Sequence, residues 1–286
     1  MNAQCDGGGN RDMARWRAHE QPLSPFFDAS VGKNGGGWIP CGVCSVELDG
    51  RAWAICPRRL LTFGSGSLSS VQRAIAERIV NLAGFTSGET VNVWSEITLR
   101  DNSAGVNYRL DYVLQGEDGR PCIVEVMTAS TSGGNKAQGT DIQSAFCNAV
   151  LFAEGNRPNK GSSPGVNIRQ VWARMASQLI VKSQIANAWD GLTVWVIQDQ
   201  LANYMNTRTG LRLDELESPS WERGEVNVLS ANINDASDLR LYSGPIHSKS
   251  GEPCWDELLD TPAIPGRAAL DKKLKPESVI AQLKLR

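Results

Sequence analysis

Nowhere in this chain does an apolar run approach the ~18 to 20 residues that a bilayer-spanning helix needs, and Met1 to Arg17 lacks the apolar stretch of a secretory signal. No membrane partner is therefore expected, and the expected location is cytoplasmic. Excess charge is also missing: 29 Lys and Arg stand against 31 Asp and Glu, a formal net charge of −2. That balance rules out a strong positive field over the whole protein, so any contact with a polyanion must come from a local basic surface. The seven cysteines are odd in number and no signal segment precedes them, which argues for reduced thiols and against disulfides. No internal repeat is present.

What is present suits an ordinary α/β protein. With 286 residues, 41% of them hydrophobic, the chain can bury a substantial core. The reading is one main domain over residues 63–286, preceded by a Cys-containing region over residues 1–62. The first dozen residues are expected to be irregular, with structure beginning near Pro25. Leu68, Val71, Ile75, Ile79 and Leu82 recur at three- and four-residue spacing, which predicts a helix over 67–83 with one core face. Strands are expected at 91–99, 108–114 and 122–128, helices at 138–153 and 167–188, and a buried strand at 192–198. The order αβββααβ implies a mixed central sheet with helices on its faces. Trp94, Trp172 and Trp195 fall within these patterns and read as core residues. From Asp199 onward the chain grows more polar and ends in basic elements around Lys272 and Lys284.

The residues that point to chemistry lie on the second and third strands. Asp111 sits in Tyr108-Arg-Leu-Asp-Tyr-Val-Leu114 and Glu125 in Cys122-Ile-Val-Glu-Val-Met-Thr128, joined by the turn Gly116-Glu-Asp-Gly-Arg-Pro121. A hairpin would set the two strands side by side. A carboxylate among apolar neighbours costs free energy unless something pairs with it. Two hard oxygen ligands on rigid elements suit a divalent cation of the kind that activates water for phosphodiester cleavage. The alternative is that both carboxylates face solvent from ordinary strands. Glu96 is a candidate third carboxylate or an edge-strand charge.

A second cluster lies upstream. Cys41-Gly-Val-Cys44, with Cys56 beyond, offers three thiolates in a Gly-rich stretch, a geometry favoured by structural Zn or Fe. Cys5 or His19 could supply the fourth ligand. Residues 32–37 are too poor in apolar side chains to fold by burial, so a metal would provide the missing cross-link. Alternatively, Cys44 and Cys56 are small core residues, since free cysteine buries readily.

Taken in order, these stretches resemble the NotI group of restriction endonucleases within the PD-(D/E)xK nuclease superfamily. The likeness is carried by Gly42-Val-Cys-Ser-Val46, Ala54-Ile-Cys-Pro-Arg58, Ser95-Glu-Ile-Thr-Leu99, Leu110-Asp-Tyr112, Val124-Glu-Val-Met-Thr128, Gly133-Gly-Asn-Lys136 and Asn167-Ile-Arg-Gln-Val-Trp172. It spans about Pro25 to Met205. The resemblance implies a restriction-endonuclease-like core in which Asp111, Glu125 and the backbone of Val126 hold Mg²⁺, with Glu96 as an auxiliary ligand. It also implies an N-terminal metal site near the DNA. The superfamily has Lys two residues after the acidic position, and NotI-like members have Gln there, whereas this chain has Met127, which can neither carry charge nor donate a hydrogen bond. Lys136 is the candidate replacement, reaching phosphate from a loop, unless it is merely solvated. The expected activity is Mg²⁺-dependent cleavage of both strands of a specific, GC-rich double-stranded DNA site by a homodimer. The alternatives are a catalytically degenerate DNA-binding protein of the same fold and a structural metal-binding protein with no nucleic-acid partner.

Overall fold

A computed structural model describes residues 45–48, 51–63, 68–101, 106–132, 165–248 and 250–259. In chain order, β1 (Ser45–Leu48) and β2 (Arg51–Ala54) form an antiparallel hairpin, followed by α1 (Ser70–Ala83). Three strands come next: β3 (Asn92–Asp101), β4 (Val106–Gln115) and β5 (Pro121–Met127). The short β6 (Thr131–Ser132) and β7 (Gly165–Val166) pair with each other, and α2 (Ile168–Ala188) leads into β8 (Leu192–Gln198). The helix α3 (Asp199–Arg208) then precedes β9 (Val226–Asn232) and β10 (Asp235–Gly244).

Six of these strands build one mixed sheet in the spatial order β10-β9-β8-β5-β4-β3. The β3, β4 and β5 strands run antiparallel in succession, β5, β8 and β9 are mutually parallel, and β10 returns antiparallel. The expected mixed α/β sheet flanked by helices is therefore observed. No helix among the described residues is long and apolar enough to cross a membrane.

The two faces are covered by different helices. The first, α1, opens with a capping box: Ser69 accepts from the Gln72 amide while the Gln72 side chain accepts from the Ser69 amide. It ends at Gly84, whose φ of 78° is a left-handed conformation that costs glycine little. Its buried Ile75 and Ile79 join Val124, Val126, Val194 and Val196 from one face of the sheet. Each such side chain contributes roughly 1.5 to 3 kcal/mol. On the opposite face, Val171, Met175 and Leu179 of α2 pack with Trp195 and Ile197 of β8 and Leu201 of α3. With both sides covered, every residue of β8 is buried, which accounts for its continuous apolar run.

The N-terminal hairpin is fastened to the end of β8. The Gln198 amide accepts from the Ala54 N–H at 2.8 Å and donates to the Ala52 carbonyl at 2.7 Å, standing in for a strand backbone. The Thr128 hydroxyl donates to the Ile55 carbonyl, and the Ala129 N–H donates to that of Ala54. Leu60 and Leu61 are fully buried in the α1 cluster.

Three expectations need comment. Trp195 is fully buried and Trp172 packs partly buried on the α2 cluster, but Trp94 is 43% exposed on the edge strand β3. The segment after Asp199 is not merely polar, since it supplies α3 and two sheet strands. The helix expected at 138–153 lies outside the described residues.

Candidate metal centre

The β4–β5 ladder pairs Tyr112 with Val124 and Val113 with Ile123. The paired register ends there, and Asp111 and Glu125 are the next residues along the two strands. There the ladder gives way to a side-chain bond, in which Asp111 Oδ2 accepts from the Val126 N–H at 2.9 Å. The strand also changes phase at this point. Leu110 and Val113, three residues apart, both pack with Ile123 and with Ala186 of α2, which regular alternation would forbid. The facing residue on β3, Glu96, has a φ of 57°, a left-handed backbone uncommon outside glycine. Two neighbouring strands are thus distorted at one level, and the distortion frames the carboxylates.

Glu125 is only 3% exposed, and so is Lys182 of α2. Lys182 Nζ lies 2.6 Å from Glu125 Oε2 and 2.7 Å from the carbonyl oxygen of Arg109, with the Trp195 ring centroid 5.6 Å away. The other carboxylate oxygen, Glu125 Oε1, is buried with no hydrogen-bond partner among the described residues. Burial, reinforced by the nearby charge of Asp111 and opposed by Lys182, pushes the Glu125 carboxyl up to about 7. Burial also raises Asp111, offset by the Val126 amide and the Lys182 charge. Of the two acids, Glu125 is thereby held where its ionisation is contested near neutral pH.

This donor set fits Mg²⁺. That ion prefers hard oxygens and keeps several waters, so one or two carboxylates suffice alongside substrate phosphate. Glu125 Oε1 has no well-formed hydrogen bond among the described residues, and the only other polar group that bears on the carboxylate besides Lys182 is Asp111, through its charge and its backbone N–H. Among the described residues no cluster of three or more Asp, Glu, His or Cys side chains is poised around one ion. Glu96 does not complete a triad: half exposed, its carboxylate is ion-paired with Arg109, although its charge still reaches Asp111.

The remaining expected site residues separate. Val126 joins the centre through its backbone amide, while its side chain packs in the α1 core. Met127 closes β5 as a half-buried packing residue against the α2 and α3 cluster. Cys56 is half-buried at the start of a 3-10 turn, Pro57–Arg59, beside the end of β5. Cys5, Cys41, Cys44 and Lys136 lie outside the described residues.

Lys182 is the buried charge at this centre that the sequence reading left unassigned. Its signal was nonetheless in the helix pattern: Ile168, Val171, Met175, Leu179, Lys182 and Ala186 follow three- and four-residue spacing, so a lysine occupies a core position of an otherwise apolar stripe. A lysine is almost never buried unless paired, and the pairing partner is the acid on β5. Comparison with known proteins adds no independent label, because no family model matches the chain and no curated protein matches it.

Proposed function

We propose that this protein is a Mg²⁺-dependent endodeoxyribonuclease of the PD-(D/E)xK kind, acting on a specific double-stranded DNA site, with Lys182 taking the part that Met127 cannot. The observation that carries the reading is the buried Glu125 with one oxygen on Lys182 and the other unpartnered, next to Asp111. Structural ion pairs seldom leave a buried carboxylate oxygen unsatisfied, because that costs about 1 to 3 kcal/mol or more. A site built to accept a cation accounts for this cost.

Asp111 and Glu125 would hold the ion, which when bound supplies Lewis-acid polarisation of phosphate and a more acidic water. The chain's own residues do the rest. Lys182 favours the anionic form of Glu125, partly offsetting burial and the repulsion of Asp111. An ammonium has three N–H donors. Two are committed, to Glu125 and to the Arg109 carbonyl, which leaves one to orient the attacking water or to stabilise charge developing on a phosphate oxygen. The Val126 amide fixes Asp111, so the acid does not have to be ordered when substrate arrives. Glu96, paired with Arg109 on the open side, is placed to contact the ion only if that pair opens. A homodimer is expected from the two-fold symmetry of a palindromic site.

The test is incubation of plasmid DNA with the protein and Mg²⁺, followed by sequencing of the ends produced. Discrete bands that vanish with Glu125→Gln and with Asp111→Asn support the enzyme. A gel shift with no cleavage by the wild-type protein would instead leave the degenerate DNA-binding fold as the better account.

A further inference from the structure

The centre is closed on the side of α2 and open toward β3, and the residue that stands on that open side is Trp94. Trp94 pairs with Val113 in the β3–β4 ladder, so the two side chains share a face. Val113 packs with Ile123 and Ala186, which fixes that face as the α2 side, where Lys182 meets Glu125. Trp94 is also two residues from Glu96 on its own strand, about 7 Å along it. Yet on this edge strand the indole is left 43% exposed, whereas Ile97 and Leu99 further along β3 pack against the cluster that holds Ala186. A large aromatic surface is thereby held in solvent by a paired strand, within about two nucleotide steps of the carboxylates, given the spacing of about 3.4 Å per nucleotide along one strand.

We infer that Trp94 is a substrate-contacting residue on which a nucleobase flanking the scissile phosphate stacks, and that the bound DNA is unstacked or kinked there. This inference rests on the nuclease reading of the same site. The physical need is plain in a chain of net charge −2, where phosphate attraction over the whole surface is weak and an uncharged contact gains importance. An indole offers that contact to any base, and insertion of an apolar side chain at a base step is an established way to kink a duplex. An edge-strand tryptophan could instead be covered by a second copy of the chain, and the experiment separates the two.

Fluorescein-labelled DNA of randomised sequence, as duplex and as single strand, is titrated with the full chain in Ca²⁺ and followed by anisotropy. Plasmid cleavage in Mg²⁺ supplies kcat and KM, and sedimentation supplies the oligomeric state. Stacking predicts that Trp94→Ala weakens binding and raises KM by roughly ten-fold or more at nearly constant kcat. Trp94→Phe, which keeps a ring, stays close to wild type, and the loss in Trp94→Ala is seen with duplex and with single strand alike. Unchanged binding and KM for Trp94→Ala, alongside a Glu125→Gln variant that has lost cleavage, would overturn the role of Trp94 and leave the nuclease reading standing. A change of oligomeric state in Trp94→Ala at constant KM would assign the indole to a protein interface. A wild-type protein that neither binds nor cuts DNA would remove both readings.

Discussion

Lys182 Nζ and Glu125 Oε2 are 2.6 Å apart although 57 positions separate them in the chain, and both residues are 3% exposed. Removing the lysine leaves the buried acid without its hydrogen-bonding partner, and the acid takes up a proton instead of staying charged. Lys182→Met is therefore expected to cost about 1 to 3 kcal/mol of stability near neutral pH, read as a fall in Tm without added metal. Combining it with Glu125→Gln should recover part of that loss, since no ionisable group is then left in the pocket. Neither variant should cleave DNA. Equal melting temperatures for the single and the double variant would disprove the coupling.

Asp111→Asn tests the second acid more gently. An asparagine oxygen can still accept from the Val126 N–H, so the local bond at 2.9 Å survives, and an acid whose ionisation burial disfavours is replaced by a neutral group. Melting temperature without metal should stay level or rise. The stabilisation by Mg²⁺ expected for the wild-type protein should shrink or disappear, because a ligand that binds only the folded state raises stability with the logarithm of one plus its concentration over Kd. A full Mg²⁺ response in Asp111→Asn would mean that the ion does not use this residue.

The Glu125 carboxyl gives a pH dependence with a defined sign. Its folded-state value is raised from the ordinary 4.5 to about 7, so the folded protein holds a proton that the unfolded chain has already released. The stabilising contribution is therefore complete below about 4.5 and is lost as pH rises through about 7. Mg²⁺ competes with that proton and should bind better as pH rises through the same range. Thermal melts at a series of pH values, with and without Mg²⁺, should show the metal-dependent gain in Tm growing toward the alkaline side. A gain that stays constant from pH 5 to 8 would count against a proton on Glu125, the window following from the same two values.

Gln198→Ala removes both halves of the clamp on β2 and leaves the Ala54 N–H without its acceptor inside the fold. A loss of about 1 to 3 kcal/mol is expected in denaturant unfolding. Faster hydrogen exchange at the Ala54 amide would localise the damage to the hairpin. Unaltered exchange there would show that Thr128 and Ala129 hold the hairpin without help.

Much of this arrangement was legible in the residues themselves. Asp111 and Glu125 stood out because each sits among apolar neighbours on strands joined by a turn, and β8 because covering on both faces demands an unbroken apolar run. Lys182 did not, since a lysine on a helix ordinarily reads as solvated, and the acid that makes its burial tolerable lies on another element. The β9 strand was hidden for a related reason. Val-Asn-Val-Leu-Ser-Ala-Asn looks polar, yet Asn227 and Ser230 are buried, and Asn227 donates to the Thr193 carbonyl at 3.0 Å. Polar residues satisfied by tertiary partners carry no hydrophobic signal. Trp94 misled in the opposite direction, because its aromatic character suggested a core position while strand order put it on the rim.

The parallel pairing of β5 with β8 has a last consequence. Since α2 lies in the crossover between those strands, the ammonium reaches the acids only after the chain has doubled back across the sheet. A nascent polypeptide that has been synthesised only through β5 possesses both carboxylates and none of the cation that tames them. On the proposed nuclease reading, cutting ability would be acquired late in synthesis, and a product truncated ahead of α2 should leave DNA uncut.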